Sequence, residues 1–150
     1  MRIVAILVLA AAAVVSAAAG AEPVDALFQQ FGLIGTWAVD CKQPASPVNP
    51  HVRTVTPGPG LVLESQDLGP EYAINRYSML TAERLSPDGL SVQAIFQPGT
   101  EAEERQKLVF LVRKDSRRTL FNQADGGAVR VRDGVVTAFG TKTSVLERCE

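Results

Sequence analysis

The chain opens on an apolar run rich in Ala and Val, Ile3 to Ala19, interrupted by Ser16 alone, behind a minimal positive end of Met1 and Arg2. After it, apolar residues recur first at helical and then at strand spacing. Val24, Leu27, Phe28 and Phe31 fall at i, i+3, i+4 and i+7, with Pro23 near the start, Asp25 in the first turn and Gly32 just past the end. That pattern predicts one short amphipathic helix. From Leu33 to Cys41 the period becomes two. Gly35, Trp37, Val39 and Cys41 share one face of a strand and Ile34, Thr36, Ala38 and Asp40 the other, so Trp37 is expected to point into a core. Gly35, beside so wide an indole, predicts a bend or the close approach of a neighbouring backbone.

Residues 42 to 60 hold five Pro, at 44, 47, 50, 57 and 59. This reads as loop, broken by a strand-like segment from His51 to Thr56. Its tip, Asn49-Pro50-His51, is a candidate functional position because long loops often carry binding groups; the alternative is an exposed His with no role. Beyond Leu61 the pattern is strand and turn throughout: Leu61 to Gln66, Tyr72 to Thr81, Leu90 to Gln97, Lys107 to Lys114, Thr119 to Gln123, Ala128 to Arg132, Val135 to Phe139 and Thr143 to Arg148.

Asp88-Gly89 and Asp133-Gly134 are two-residue hairpin signals. Centring on the first puts Leu85 opposite Val92 and Thr81 opposite Phe96, with Leu90, Val92, Ala94 and Phe96 on one face. Centring on the second puts Val131 opposite Val136, Val129 opposite Ala138, and Arg130 opposite Thr137. Each hairpin then has one apolar and one polar side. A meander of this kind closes most economically as an all-β, single antiparallel up-and-down β-barrel of about eight strands with a short N-terminal helix, which leaves no exposed edge. A two-sheet sandwich is the alternative.

The apolar start has the layout of a secretory signal peptide, residues 1–21, with Ala19-Gly20-Ala21 as the cleavage site and Ala17-Ala18-Ala19 as a second choice. An uncleaved anchor would need a longer run and a flanking basic stop. No Cys follows the cleavage region, so lipidation is not expected. Residues 22–150 would then form the single barrel domain, in a periplasmic protein. Of the 15 Lys and Arg, Arg2 leaves with the leader, so 14 remain against 16 Asp and Glu, a formal charge of −2. That balance does not suit a nucleic-acid binder.

In an oxidising compartment Cys41 and Cys149 are expected to pair, since they are the only Cys. This sets a geometric demand. Both end their segments, and in an even-stranded up-and-down barrel such ends lie roughly 20 Å apart at about 3.3 Å per residue, whereas bonded Cys need Cα atoms within about 7 Å. Either the strand count is odd, or the chain turns near Gly140 and residues 142–149 return alongside the first strand. The return is preferred.

Little in the chain suggests catalysis or a metal. His51 is the only His, on a Pro-rich loop, and both Cys are expected to be oxidised, so no nucleophile and base pair, no metal ligand set and no cofactor is expected. Glu101, Glu103 and Glu104 read as a solvated turn. Arg113, Lys114, Arg117 and Arg118 crowd one hairpin, either as a hydrated turn or as an anion site.

The Gly35-Thr36-Trp37 segment, following a short N-terminal helix at the start of a β-rich chain, resembles the opening of lipocalin-like (calycin) barrels. That resemblance implies a non-enzymatic binding protein for a small apolar or amphipathic ligand. Its site would be a barrel interior lined by Trp37, Phe96, Phe110 and Phe121, with Arg76 or Tyr77 orienting the ligand. The alternative is a filled periplasmic barrel that engages a protein partner through its loops, because inhibitor barrels of that kind also begin with Gly-x-Trp. Neither reading implies nucleic acid, nor stable membrane insertion once the leader is cleaved.

Overall fold

The computed structural model describes residues 20–150; the expected leader, apart from Gly20 and Ala21, lies outside them. Helix α1 (Val24–Gln30) begins after Pro23, whose φ of −57° suits a helix start. It ends in a Schellman turn: the Gly32 N–H donates to Gln29 O at 2.9 Å and the Leu33 N–H to Phe28 O at 2.8 Å, with Gly32 at φ +67°. Leu33 and Phe28 are both fully buried, which adds the apolar contact that accompanies this turn.

Eight strands close an antiparallel barrel: β1 (Gly35–Ala38), β2 (His51–Gly58), β3 (Leu61–Asp67), β4 (Asn75–Ser86), β5 (Gly89–Phe96), β6 (Glu104–Arg113), β7 (Ser116–Ala124) and β11 (Leu146–Cys149). The architecture is consistent with a calycin-like barrel. Consecutive strands pair from β1 to β7, and β11 returns between β7 and β1. Three short strands, β8 (Val129–Arg132), β9 (Val135–Val136) and β10 (Thr141–Lys142), leave the far half of β7 as a flap. The β7–β11 seam is the weakest joint, with only Leu146 opposite Arg117 and Glu147 opposite Ser116. No helix among the described residues is long and apolar enough to cross a membrane.

Helix α1 plugs one end. Val24, Leu27, Phe28 and Phe31 pack into a core with Val62, Met79, Leu90, Val92, Ala94, Leu108, Phe110 and Val112. Asp25 accepts a hydrogen bond from the Gly60 N–H at 3.0 Å, and the Arg84 guanidinium lies 4.3 Å from the Phe31 ring centroid, fixing the helix to two neighbouring hairpin turns.

Both hairpin registers differ in part from those expected. At Asp133-Gly134 both residues have positive φ, 51° and 72°, the conformation a type I′ turn requires, and Val131 faces Val136. Strand β9 stops at Val136, so the expected Val129 to Ala138 pair does not form. In the β4–β5 hairpin, Ser86 faces Gly89, and the turn residues are Pro87-Asp88, because Pro fits the first central position of a common turn. Bulges near Leu85 and Leu80 then shift the ladder, so that Ala82 faces Val92 and Tyr77 faces Phe96.

The disulfide demand is met by return and bend together. Residues 146–149 do lie beside β1, with Cys149 opposite Thr36. Extended structure ends at Ala38 rather than Cys41, and a turn closed by Gln43 N–H to Asp40 O (3.2 Å) and Lys42 N–H to Asp40 Oδ1 (2.9 Å) folds the chain back. Cys41 and Cys149 are joined, with Cα atoms 5.5 Å apart.

Gly35 is explained by a side chain and not by a neighbouring backbone. It adopts φ +131°, and a Cβ there would sit 3.1 Å from the Arg148 guanidinium. Arg148 donates to Ile34 O at 2.9 Å and to Gly32 O, stacks 4.3 Å from the Trp37 ring centroid, and lies 3.8 Å from Asp115. One cation on the last strand thereby clamps the start of the first.

Candidate ligand-binding site

Away from α1 the barrel interior changes character. The strand alternation that buries Val62 also turns Glu64 and Gln66 inward on β3, and the same rule on β7 turns Arg117 inward. Arg117 and Glu64 meet at the floor of a cavity of about 560 Å³, a size typical of small-molecule sites. Pro47, Val48 and Pro50 of the β1–β2 loop and residues 141–144 form its rim. Val52, Leu108, Phe110, Val131, Val136 and Leu146 supply apolar wall.

The floor pair is bidentate. Arg117 Nη1 donates to Glu64 Oε2 at 2.8 Å and Nη2 to Oε1 at 3.3 Å, while the Thr54 hydroxyl donates to Oε2 at 2.8 Å. The two side chains are only 4% and 7% exposed. Burying such a pair costs several kcal/mol per ion unless the remaining donors are satisfied. Here Phe110, whose ring centroid lies 4.6 Å from the Arg117 guanidinium, adds a cation–π contact. The result is a neutral but strongly polar floor beneath apolar walls.

A second polar track reaches the cavity from the surface. Arg130 pairs with Glu104, and this hydrogen bond holds the Glu104 carboxyl below its usual range. The Gln106 amide donates to Glu104 and accepts from Asn122 Nδ2 at 3.0 Å. Asn122 Oδ1 is buried and has no partner among the described residues. Asn122 itself is among the residues that line the cavity.

Tyr77 also lines the cavity. Burial, reinforced by the nearby Glu64 charge, pushes its phenol well above the ordinary value. Because the folded state favours the neutral phenol, Tyr77 contributes stability that is fully present below about pH 10 and is lost as pH rises past that value. In Tyr72→Phe protein, absorbance at the phenolate wavelength should therefore stay flat through the pH at which a free phenol ionises and rise only beyond it. Ionisation near pH 10 in the folded protein would place the hydroxyl in water.

The residues nominated from sequence are scattered by the fold. Phe110 and Tyr77 line the cavity. Phe96 packs beside Tyr77, ring centroids 5.1 Å apart, without lining it. Trp37 is fully buried next to the floor with Val52 and Leu146, its indole N–H donating to Leu33 O at 3.0 Å. Arg76 is exposed on the outer face. Phe121 also leaves the interior: the β6–β7 ladder slips between Val109 facing Phe121 and Phe110 facing Thr119, so a bulge at Leu120 puts Thr119 and Asn122 on the cavity side. Asn49 and His51 organise their own loop. The Asn49 amide accepts from the Asp40 N–H and donates to the Asp40, Gln43 and Pro44 carbonyls, and His51 Nε2 bonds Gln43 O at 2.9 Å.

Sequence reasoning missed Glu64 and Asn122; it placed Arg117 and Arg118 in a basic hairpin, with an anion site as one of its two readings. The available signal was a charged residue on the strand face that also carries buried apolar residues, Glu64 two positions from Val62. No group of three or more His, Cys, Asp or Glu poised to hold a metal occurs among the described residues. Comparison with family models, curated proteins and solved structures finds no match to this chain.

Proposed function

We propose that the protein is a non-enzymatic binding barrel for a small amphipathic molecule, working in the periplasm in keeping with the leader and the disulfide. The observation that carries this reading is the cavity itself, apolar on its walls and polar on its floor. A barrel that served only as a scaffold would gain by filling that volume with side chains, since interiors pack to crystal-like density. A buried ion pair and an unpartnered Asn122 acceptor would each cost stability in such a scaffold. A ligand with one apolar and one polar part matches both surfaces, as it does in the lipocalin-like plan.

Nile red titrated into delipidated protein tests the reading. Saturable binding with a blue-shifted emission is expected. Val131→Trp, at a half-buried flap position on the cavity wall, should weaken it on the order of tenfold while the melting temperature is retained. Dye binding that is absent, or indifferent to this substitution, would leave the loop-mediated protein-interaction reading in its place.

A further inference from the structure

The charges that line the cavity do not balance. Glu64 is the only carboxylate on the lining, and both its oxygens are taken by Arg117 and Thr54. Two further cations line it, Arg118 and Lys142, and neither makes an ion pair among the described residues. Arg118 is half-buried and fixed in place. Its Nη2 donates to Gly134 O at 2.8 Å and to Thr143 Oγ1 at 3.3 Å, its Nε to Thr143 Oγ1 at 3.4 Å, and a Cβ on Gly134 would collide with it at 2.4 Å. All of these acceptors are uncharged, and Nη1 has none among the described residues. A guanidinium held rigidly beside a cavity, with a donor edge unused, suits a planar or tetrahedral anion.

Arg117 and Arg118 are consecutive on β7, so they point to opposite sides of the strand, yet both line the cavity, which also includes Leu146 of the sparsely paired β11. An anion on Arg118 and Lys142 would have Leu108 and Phe110, apolar residues of the same lining, available to an attached chain.

We propose that the molecule this cavity takes is a single-chain amphiphile with an anionic headgroup, carboxylate or phosphate, seated on Arg118 and Lys142 at the seam. The proposal rests on the reading of the cavity as a ligand site. It is tested with disulfide-intact protein and a matched chain series kept below micelle-forming concentration: dodecanoate, dodecyl phosphate, dodecanol and dodecyltrimethylammonium, each displacing Nile red, with inorganic phosphate as the chain-free control. The two anions should bind on the order of tenfold more tightly than the alcohol, inorganic phosphate should displace nothing, and Arg118→Gln should weaken both anions by more than it weakens dodecanol, erasing the anion preference. The headgroup comparison on the unsubstituted protein stands even where Arg118→Gln fails to fold. Equal affinity for acid and alcohol, or a preference for the ammonium, overturns the anionic inference and leaves the binding barrel standing. Displacement by inorganic phosphate alone overturns the amphiphile. Failure of every chain to displace the dye overturns both readings.

Discussion

Trp37→Ala should destabilise the protein by about 4 to 5 kcal/mol, near the upper end for emptying a buried aromatic site. The indole is fully buried between Val52 and Leu146, donates to Leu33 O, and carries a guanidinium 4.3 Å from its ring centroid. Removing it opens a void, leaves a backbone acceptor unpaired and strips Arg148 of its platform. Arg148 joins β11 to the chain segment preceding β1, so the loss falls on strands that the weak seam does little to hold. Urea denaturation of the two proteins gives the difference directly, and Trp37→Phe should lose less. A cost below about 1 kcal/mol would mean that the site collapses without the ring.

A comparable loss is expected when Cys41 and Cys149 are both replaced by Ser. The bond spans 108 residues, and in the chain-entropy description a loop of that size contributes about 4 to 5 kcal/mol. The structure adds a local reason. Strand β11 pairs with β7 at only two positions, and the disulfide ties its end to the turn after β1. Without the bond, β11 should fray first, which hydrogen exchange at residues 146–149 would reveal, and the cavity beside the seam should lose its shape. Denaturation midpoints that coincide with and without the disulfide would contradict this account.

Much of the fold could be read from local chemistry. The alternation in β5 and β6, the helix stripe ending at Gly32, and Asp133-Gly134 each combine a periodic pattern with a residue whose backbone preference fixes the next step. What could not be read depends on partners distant in sequence. The bulges at Leu80, Leu85 and Leu120 each add a residue to one strand only, and nothing in a run of strand-forming residues marks which one is extra. The consequence falls on the cavity lining, because the Leu120 bulge takes Phe121 out of the interior and brings Asn122 in. Glu64 and Arg117 stand 53 residues apart, and neither alone points to the other as its partner. Arg117 in particular sits in a basic hairpin that suggests hydration, yet the antiparallel closure of the barrel buries it. The flap of β8 to β10 has the same alternating pattern as the barrel strands; its strands are too short, and joined to only the far half of β7, to be part of the closed wall.

Native mass spectrometry of the protein purified gently from the cells that make it tests most directly whether the barrel interior is a ligand cavity. The account predicts a species heavier than the disulfide-bonded chain by one small molecule, released on collisional activation and restored when an amphiphile is added. The bare chain mass in every charge state, unchanged by added amphiphile, would contradict it.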